Sequence, residues 1–237
     1  MKKITLFLSA VVLASACNTP QSSKEVLLTG FSDSASYAIG TSIGLNLVGD
    51  FKAQGIDSSM NMDLVIAGLS DAITVEDSSK LNKEKAQELV AQFFDNLNTE
   101  RANDNASEGQ VFLAENGTKP GVVTTASGLQ YIALSEGEGA NPTVADQVRV
   151  HYTGKLLNGT VFDSSIERNE PVDFFVRSVI PGWTEALQLM KPGASYKLFV
   201  PSNLGYGDQG NPRGGIGPNE VLVFDVKLID ILPPPAK

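Results

Sequence analysis

The hydrophobic period of this chain changes once, and the change limits what it can fold into. Up to about Asn116 apolar residues recur three and four apart, the spacing of one helix face. From Gly117 onward they alternate with polar residues, the spacing of half-buried strands, and turn-forming residues cut the pattern into short runs. A helical half followed by a strand-rich half predicts an α+β protein. At 237 residues the chain has room for two ordinary domains, one for each pattern.

In the first half, "DSASYAIGTSIGLNLV" places Ile39, Ile43 and Leu47 at i, i+4 and i+8. Gly40 and Gly44 lie along the neighbouring edge and permit a close helix contact, in a segment too polar for pairing inside a membrane. A second run, "NMDLVIAGLSDAI", carries Leu64, Ile66, Ala67 and Ile73. A third starts at Leu81 and makes a stripe of Leu89, Val90, Phe93, Phe94 and Leu97, with Lys83, Lys85 and Glu88 outside it. Continued to about Asn116, it is a rod of roughly 50 Å at about 1.5 Å per residue. Between Arg101 and Gln110 almost nothing is apolar, which predicts a solvated stalk with Gly109 as its breaking point. One long helix and two short ones make a poor monomeric core. Residues 33–117 are therefore expected to bury their surplus against a second copy, as a homodimer.

Residues 118–126 read as a linker and 127–237 as the second domain. "VRVHYTGKLLNGTVFD" alternates Val148, Val150 and Tyr152 against Arg149, His151 and Thr153, and its Asn158-Gly159 pair predicts a two-residue hairpin turn with both residues at positive φ. "ASYKLFVP" is a further strand, and "EVLVFDVKLIDIL" the last, with Leu222, Phe224, Val226 and Leu228 facing one way. Only "WTEALQLM" reads as helix, stopped by Lys191-Pro192-Gly193. An antiparallel sheet covers such a helix by curving around it. Ala186, Leu187 and Met190 are its expected buried side, and Trp183, the sole tryptophan, is expected just before it, as the base of a pocket.

Composition excludes several functions. With 18 basic against 27 acidic residues the net charge is -9, which argues against a nucleic-acid partner. There is no Gly-rich phosphate loop, and a single histidine, His151, rules against a histidine metal site or a catalytic triad. The N-terminal "MKKITLFLSAVVLASAC" has two lysines, an apolar run from Ile4 and small residues at Ala14, Ser15 and Ala16. Residues 1–16 are thus expected to be a secretory signal, too short for a bilayer span. Cys17 is the only cysteine, so no intrachain disulfide forms. "ASAC" resembles a bacterial lipoprotein box, apart from Ala14 where leucine is commoner. The resemblance implies that Cys17 carries lipid and anchors the protein to a membrane of the cell envelope, the outer membrane, through a polar tether over residues 17–32. Each buried methylene of such a chain contributes roughly 0.8 kcal/mol.

"VHYTGKLLNGTVFDSS", "FFVRSVIPGWTEALQLMKPG", "YKLFVPSNLGYG" and "GGIGPNEVLVFDVKLI" together resemble the FKBP-type peptidyl-prolyl cis/trans isomerases. The four segments stand in family order between Ser127 and Leu232, and the helical half is similar to the dimerising arm of Mip-like envelope isomerases. The resemblance implies a curved antiparallel sheet around a short helix, no cofactor and no metal. It implies a pocket floored by Trp183 and walled by Tyr152, Phe162, Phe174, Val179, Ile180, Ile216 and Phe224, with Asp163 and Tyr206 as polar edges. The Tyr206 hydroxyl and the Ile180 N–H would hold substrate carbonyls. Spacing from Ile180 selects Phe174 over its neighbour Phe175. Ser178 stands where small soluble members carry a carboxylate that contacts macrolides such as rapamycin, which weakens that expected ligand more than catalysis.

The implied substrates are proline-containing unfolded or partly folded proteins. Amide resonance makes rotation of the Xaa-Pro bond slow enough to limit folding. Taken singly, Tyr152, Phe162 and Phe224 read as strand core, Asp163-Ser164-Ser165 as a turn, and Tyr206 as the anchor of a Gly-rich flap. A non-catalytic holdase that keeps the domain is the alternative. Such domains typically lose the tyrosine, aspartate or tryptophan of the pocket, and this sequence has candidates for all three.

Overall fold

The computed structural model describes residues 26–74 and 80–233; the expected leader, Cys17 and the segment Asn18–Glu25 lie outside them. The chain divides into two compact units, Met1–Lys80 and Leu81–Lys237.

In the first unit helices α1 (Phe31–Ala53) and α2 (Met62–Thr74) flank a single 3-10 turn at Asp57–Ser59. The Asn61 side chain accepts from the N–H groups of Asp63 and Leu64, capping the start of α2. Neither helix contains a buried residue. Ile39, Ile43, Leu64, Ile66 and Ile73 are all more than half exposed, while Ile56, between the helices, is buried. The expected apolar residues are therefore present on helices that leave them uncovered within this chain.

The second unit begins with helix α3 (Lys83–Asn116), whose 34 residues start at an Asn82 side chain that accepts from the Lys85 N–H at 2.8 Å. The expected length is met, but two details are corrected. Gly109 does not break the helix, and Arg101–Gln110 is solvated on one face only. On the other face Gly109 is buried against Val221, where a Cβ would lie 2.6 Å from the valine methyl. Asn105 donates to the Pro218 carbonyl and the Ala102 carbonyl accepts from Asn219, both in the loop before Val221, and one turn on, Phe112 meets Phe199 at 5.7 Å. This face docks through a missing side chain and through amides, neither of which shows in a hydrophobic pattern.

Seven antiparallel strands follow: β1 (Val123–Thr124), β2 (Gln130–Ser135), β3 (Gln147–Leu156), β4 (Val161–Ser164), β5 (Val172–Phe175), β6 (Ser195–Val200) and β7 (Leu222–Leu232). Their order is β1-β2-β6-β7-β3-β4, with β5 also on β3. The segment expected to be linker thus includes β1, which pairs with β2. Strands β4 and β5 share one edge of β3, β4 along Thr153–Lys155 and β5 along Gln147–Val150. Ser165 fills the gap between them. Its Oγ accepts the Tyr152 N–H at 2.7 Å and its own N–H reaches the Tyr152 carbonyl at 3.0 Å, which explains a fully buried serine.

The β3–β4 hairpin corrects a second expectation. Its loop has three residues, not two: Gly159 N–H bonds to Leu156 O and Leu156 N–H to Thr160 O. Only Gly159 has positive φ, +87°. Asn158 instead uses its side-chain oxygen to accept the Thr160 N–H, so the turn needs one left-handed residue, and glycine supplies it.

The inward faces of β3 and β7 follow the expected alternation, with Val148, Val150, Tyr152, Leu222, Phe224, Val226 and Leu228 buried. They pack on helix α4 (Pro181–Leu189), which buries Trp183, Ala186 and Leu187, with Met190 buried just past its end. The helix starts two residues earlier than expected, because Pro181 fits its first position. Trp183 is therefore inside the first turn and not before it.

Candidate active site

The third residue of α4 is enclosed on three sides by ring edges. Trp183 meets Tyr152 of β3 at 5.2 Å and 90°, Phe224 of β7 at 5.2 Å and 81°, and Phe174 of β5 at 5.9 Å and 83°. Phe162 of β4 continues the box, edge-on to Phe224 at 5.6 Å. Edge-to-face contact sets the positive rim of one ring against the negative face of the next, and each pair adds about 0.5–1.5 kcal/mol beyond area burial. The register brings these rings together: Gly154 lies opposite both Phe224 and Asp163. A Cβ on Gly154 would stand 2.6 Å from the Phe162 ring and 2.8 Å from that of Phe224, so only glycine admits both.

Only 4% of Trp183 is accessible. Its indole N–H is buried and has no acceptor among the described residues. Around it Phe162, Phe174, Val179 and Ile180 are half-buried, and Ile216 is buried. The Ile180 carbonyl accepts from Trp183 and Thr184 at the start of α4, while the Ile180 N–H donates to no described group. Tyr206 is 38% exposed, in the loop after β6, and its hydroxyl likewise makes no hydrogen bond among the described residues. Phe174 enters the box, whereas Phe175 is covered by the Arg177 guanidinium, 4.9 Å from its ring centre.

Three polar groups form a triangle beside the rings. The Tyr152 hydroxyl donates to Asp163 Oδ2, Arg168 Nη1 donates to Asp163 Oδ1, and Arg168 Nη2 reaches the Tyr152 hydroxyl at 3.2 Å. Partial burial pushes the Asp163 carboxyl up, but hydrogen bonds from Tyr152 and Arg168, with the arginine charge, outweigh it and hold the acid below its ordinary value. Burial, then the bond to Asp163, pushes the Tyr152 phenol up against the opposing pull of Arg168. At neutral pH the pair is carboxylate and phenol, fixed in place, with no proton poised to move.

Arg168, which joins Asp163 and Tyr152 in this candidate site, was not marked by the sequence. It stands five residues after Asp163 in a polar loop, and no spacing rule marks it. It also borders a neighbouring cleft of about 530 Å³, lined by Arg149, Glu170, Pro171, Val172 and Asp173, which contains none of the box residues. There Arg149 and Asp173 are paired through two hydrogen bonds of 2.7 and 2.8 Å. His151 lies outside the box and contacts Ser165 Oγ at 3.1 Å.

Residues 138–229 match the FKBP-type peptidyl-prolyl cis-trans isomerase family, and residues 32–132 match the domain amino terminal to FKBP-type peptidyl-prolyl isomerase. The chain is 39% identical to the outer membrane protein MIP of Legionella longbeachae, over 98% of this chain and 97% of that protein. The chain belongs to the FKBP-type peptidyl-prolyl cis-trans isomerases.

The isomerase is also 41% identical to the FKBP-type 22 kDa peptidyl-prolyl cis-trans isomerase of Escherichia coli, over 84% of this chain and 94% of that one. The crystal structure of FkpA from Escherichia coli matches it with a TM-score of 0.69 and 34% identity, over 88% of this chain and all of that one. The fold expected from the sequence is thus the family's own: a helical region with a long helix, then an antiparallel sheet with a short one. As an FKBP-type isomerase it accelerates rotation about the peptide bond before proline, and its substrates are proline-containing chains.

Proposed function

We propose that the aromatic box around Trp183 is where the Xaa-Pro bond turns. A planar amide is held by resonance, with a barrier of about 18–20 kcal/mol, and its charge separation falls when the bond twists. Apolar rings therefore favour the twisted form over the more dipolar planar one, which is differential binding of the transition state. Proline's flat, apolar ring suits the indole edge, with Phe162, Phe174, Val179, Ile216 and Phe224 as walls. The Ile180 N–H and the Tyr206 hydroxyl hold the carbonyls flanking the bond, and the observation that carries this reading is that neither donor has a partner among the described residues. Asp163 orients Tyr152 and acts as neither acid nor base. The unpaired indole N–H gives further support. A phenylalanine would fill much of this space without stranding a buried donor, which costs about 1–3 kcal/mol, so folding stability alone does not favour tryptophan here.

The same slot would take macrolides such as rapamycin, more weakly for want of a carboxylate at Ser178. The enzyme works as a homodimer, since α1 and α2 bury nothing within one chain. It is exported and lipid-anchored in the cell envelope through Cys17, a reading supported by the signal-like N-terminus and by the printed name of the Legionella relative. Its clients there are unfolded or partly folded proteins, which the paired copies also chaperone. The deciding assay of the site is cis-to-trans conversion of an Xaa-Pro tetrapeptide by the full chain and by its Tyr206→Phe variant. Loss of rate in the variant supports the assignment, and an unchanged rate overturns it.

A further inference from the structure

The loop that carries Tyr206 and Ile216 is held from outside the sheet. It leaves β6 at Pro201, returns at Val221, and is tied across its own base and tip. The Asn219 N–H donates to the Gly207 carbonyl at 2.8 Å, and Asn211 and Ile216 exchange backbone hydrogen bonds of 2.9 and 3.0 Å. Asn219 has a positive φ of 56°, which turns its side chain away from an ordinary strand path. That side chain donates to the Ala102 carbonyl of α3 at 3.1 Å. One helical turn on, Asn105 Nδ2 donates to the Pro218 carbonyl at 2.8 Å. Gly109, a further turn along the same face, seats Val221. Three residues spaced at about one helical turn thus grip the returning arm of the loop, and Asn219 passes that grip to Gly207, the residue after Tyr206.

We propose that Asn105 and Asn219 are positioning residues for catalysis: α3 fixes the setting of the 205–221 loop, and through it the place of Tyr206. The inference rests on the assignment of Tyr206 to the substrate site. It assigns to the docked part of the long helix a role in turnover itself. Both asparagines use the amide as donor, so an isosteric carboxylate cannot replace Asn105. Glycine at Asn219 keeps the backbone conformation and removes only the link to α3.

The test uses the full chain as Asn105→Asp, Asn219→Gly, the double variant, and Tyr206→Phe for reference. Each is assayed for kcat/KM on an Xaa-Pro tetrapeptide, amide exchange across the protein, and the urea midpoint. Loss of one net hydrogen bond corresponds to roughly a fivefold change, so each asparagine variant is expected to lower kcat/KM about fivefold. The double variant should lose less than the product of the two, because both bonds hold one loop. Faster exchange should be confined to residues 205–221, with β3 unchanged and the urea midpoint lowered by no more than the loss of that one bond. If Tyr206→Phe slows the enzyme and the asparagine variants stay within about twofold of the parent, positioning by α3 is overturned and the site stands. If Tyr206→Phe is itself without effect, the site assignment fails and the positioning role fails with it. A loss of rate that accompanies faster exchange in β3 and the rest of the unit also overturns the proposal, since the contact is then structural only.

Discussion

Tyr152 stands at right angles to Trp183 at 5.2 Å and directs its hydroxyl away from the indole, onto the Asp163 carboxylate. One phenol thus has two separable tasks, a ring edge for the tryptophan and a polar tether for the rim. Tyr152→Phe keeps the first and removes the second. The expected outcome is a small loss of stability, about 1 kcal/mol, and a fall in kcat/KM of a few fold. Urea titration with the tetrapeptide assay measures both.

Trp183→Ala removes the ring that three others lean on, and it should destabilise the unit by about 3–5 kcal/mol. Trp183→Phe keeps part of the packing and relieves the stranded N–H. It is expected to fold with a midpoint much closer to the parent while losing most of its activity. If Trp183→Phe turned over as fast as the parent, the indole would have no special part.

The pH dependence follows from the triangle. The folded pKa of Asp163 is lowered, so its contribution to stability is present above the unfolded value near 3.9 and is lost as pH falls through the folded value. The folded pKa of Tyr152 is raised, so its contribution is present below about 10 and is lost as pH rises through the folded value. Activity should therefore be flat between roughly pH 5 and 9, without the bell of an acid–base mechanism. Asp163→Asn should flatten the acid limb of the stability curve, measured as the thermal midpoint against pH.

Deleting residues 26–80 removes α1 and α2, whose apolar residues are uncovered within one chain. The remaining α3 and sheet should run as a monomer in light scattering and keep tetrapeptide activity. A surviving dimer would move the self-association surface to the second unit.

Cys17→Ser should shift the protein from the membrane to the soluble fraction on cell fractionation. Unchanged partition would remove the lipid anchor.

The inward alternation of β3 and β7 was legible because a half-buried strand must put apolar side chains at every second position, and Phe174, chosen by its distance along the chain from Ile180, packs its ring on Trp183. What escaped were contacts that do not depend on apolar side chains. Arg168 joins Asp163 because the chain bulges out between β4 and β5, a shape that Ser165 stabilises through its own backbone and hydroxyl. The docked face of α3 offers one side-chain amide, a backbone carbonyl and a glycine, which in a linear pattern look like solvated helix. The Asn158-Gly159 turn took the three-residue form because an Asn side chain can bond forward along the loop in place of adopting positive φ itself.

The sheet ends on one side in two residues of β1 and on the other in β4 and β5, four residues each and separated by a bulge. A long straight border would invite any sticky, extended polypeptide to add itself as one more strand. These ragged margins offer little template. An isomerase whose substrates are proline-containing chains therefore offers them few places at which to join its own sheet.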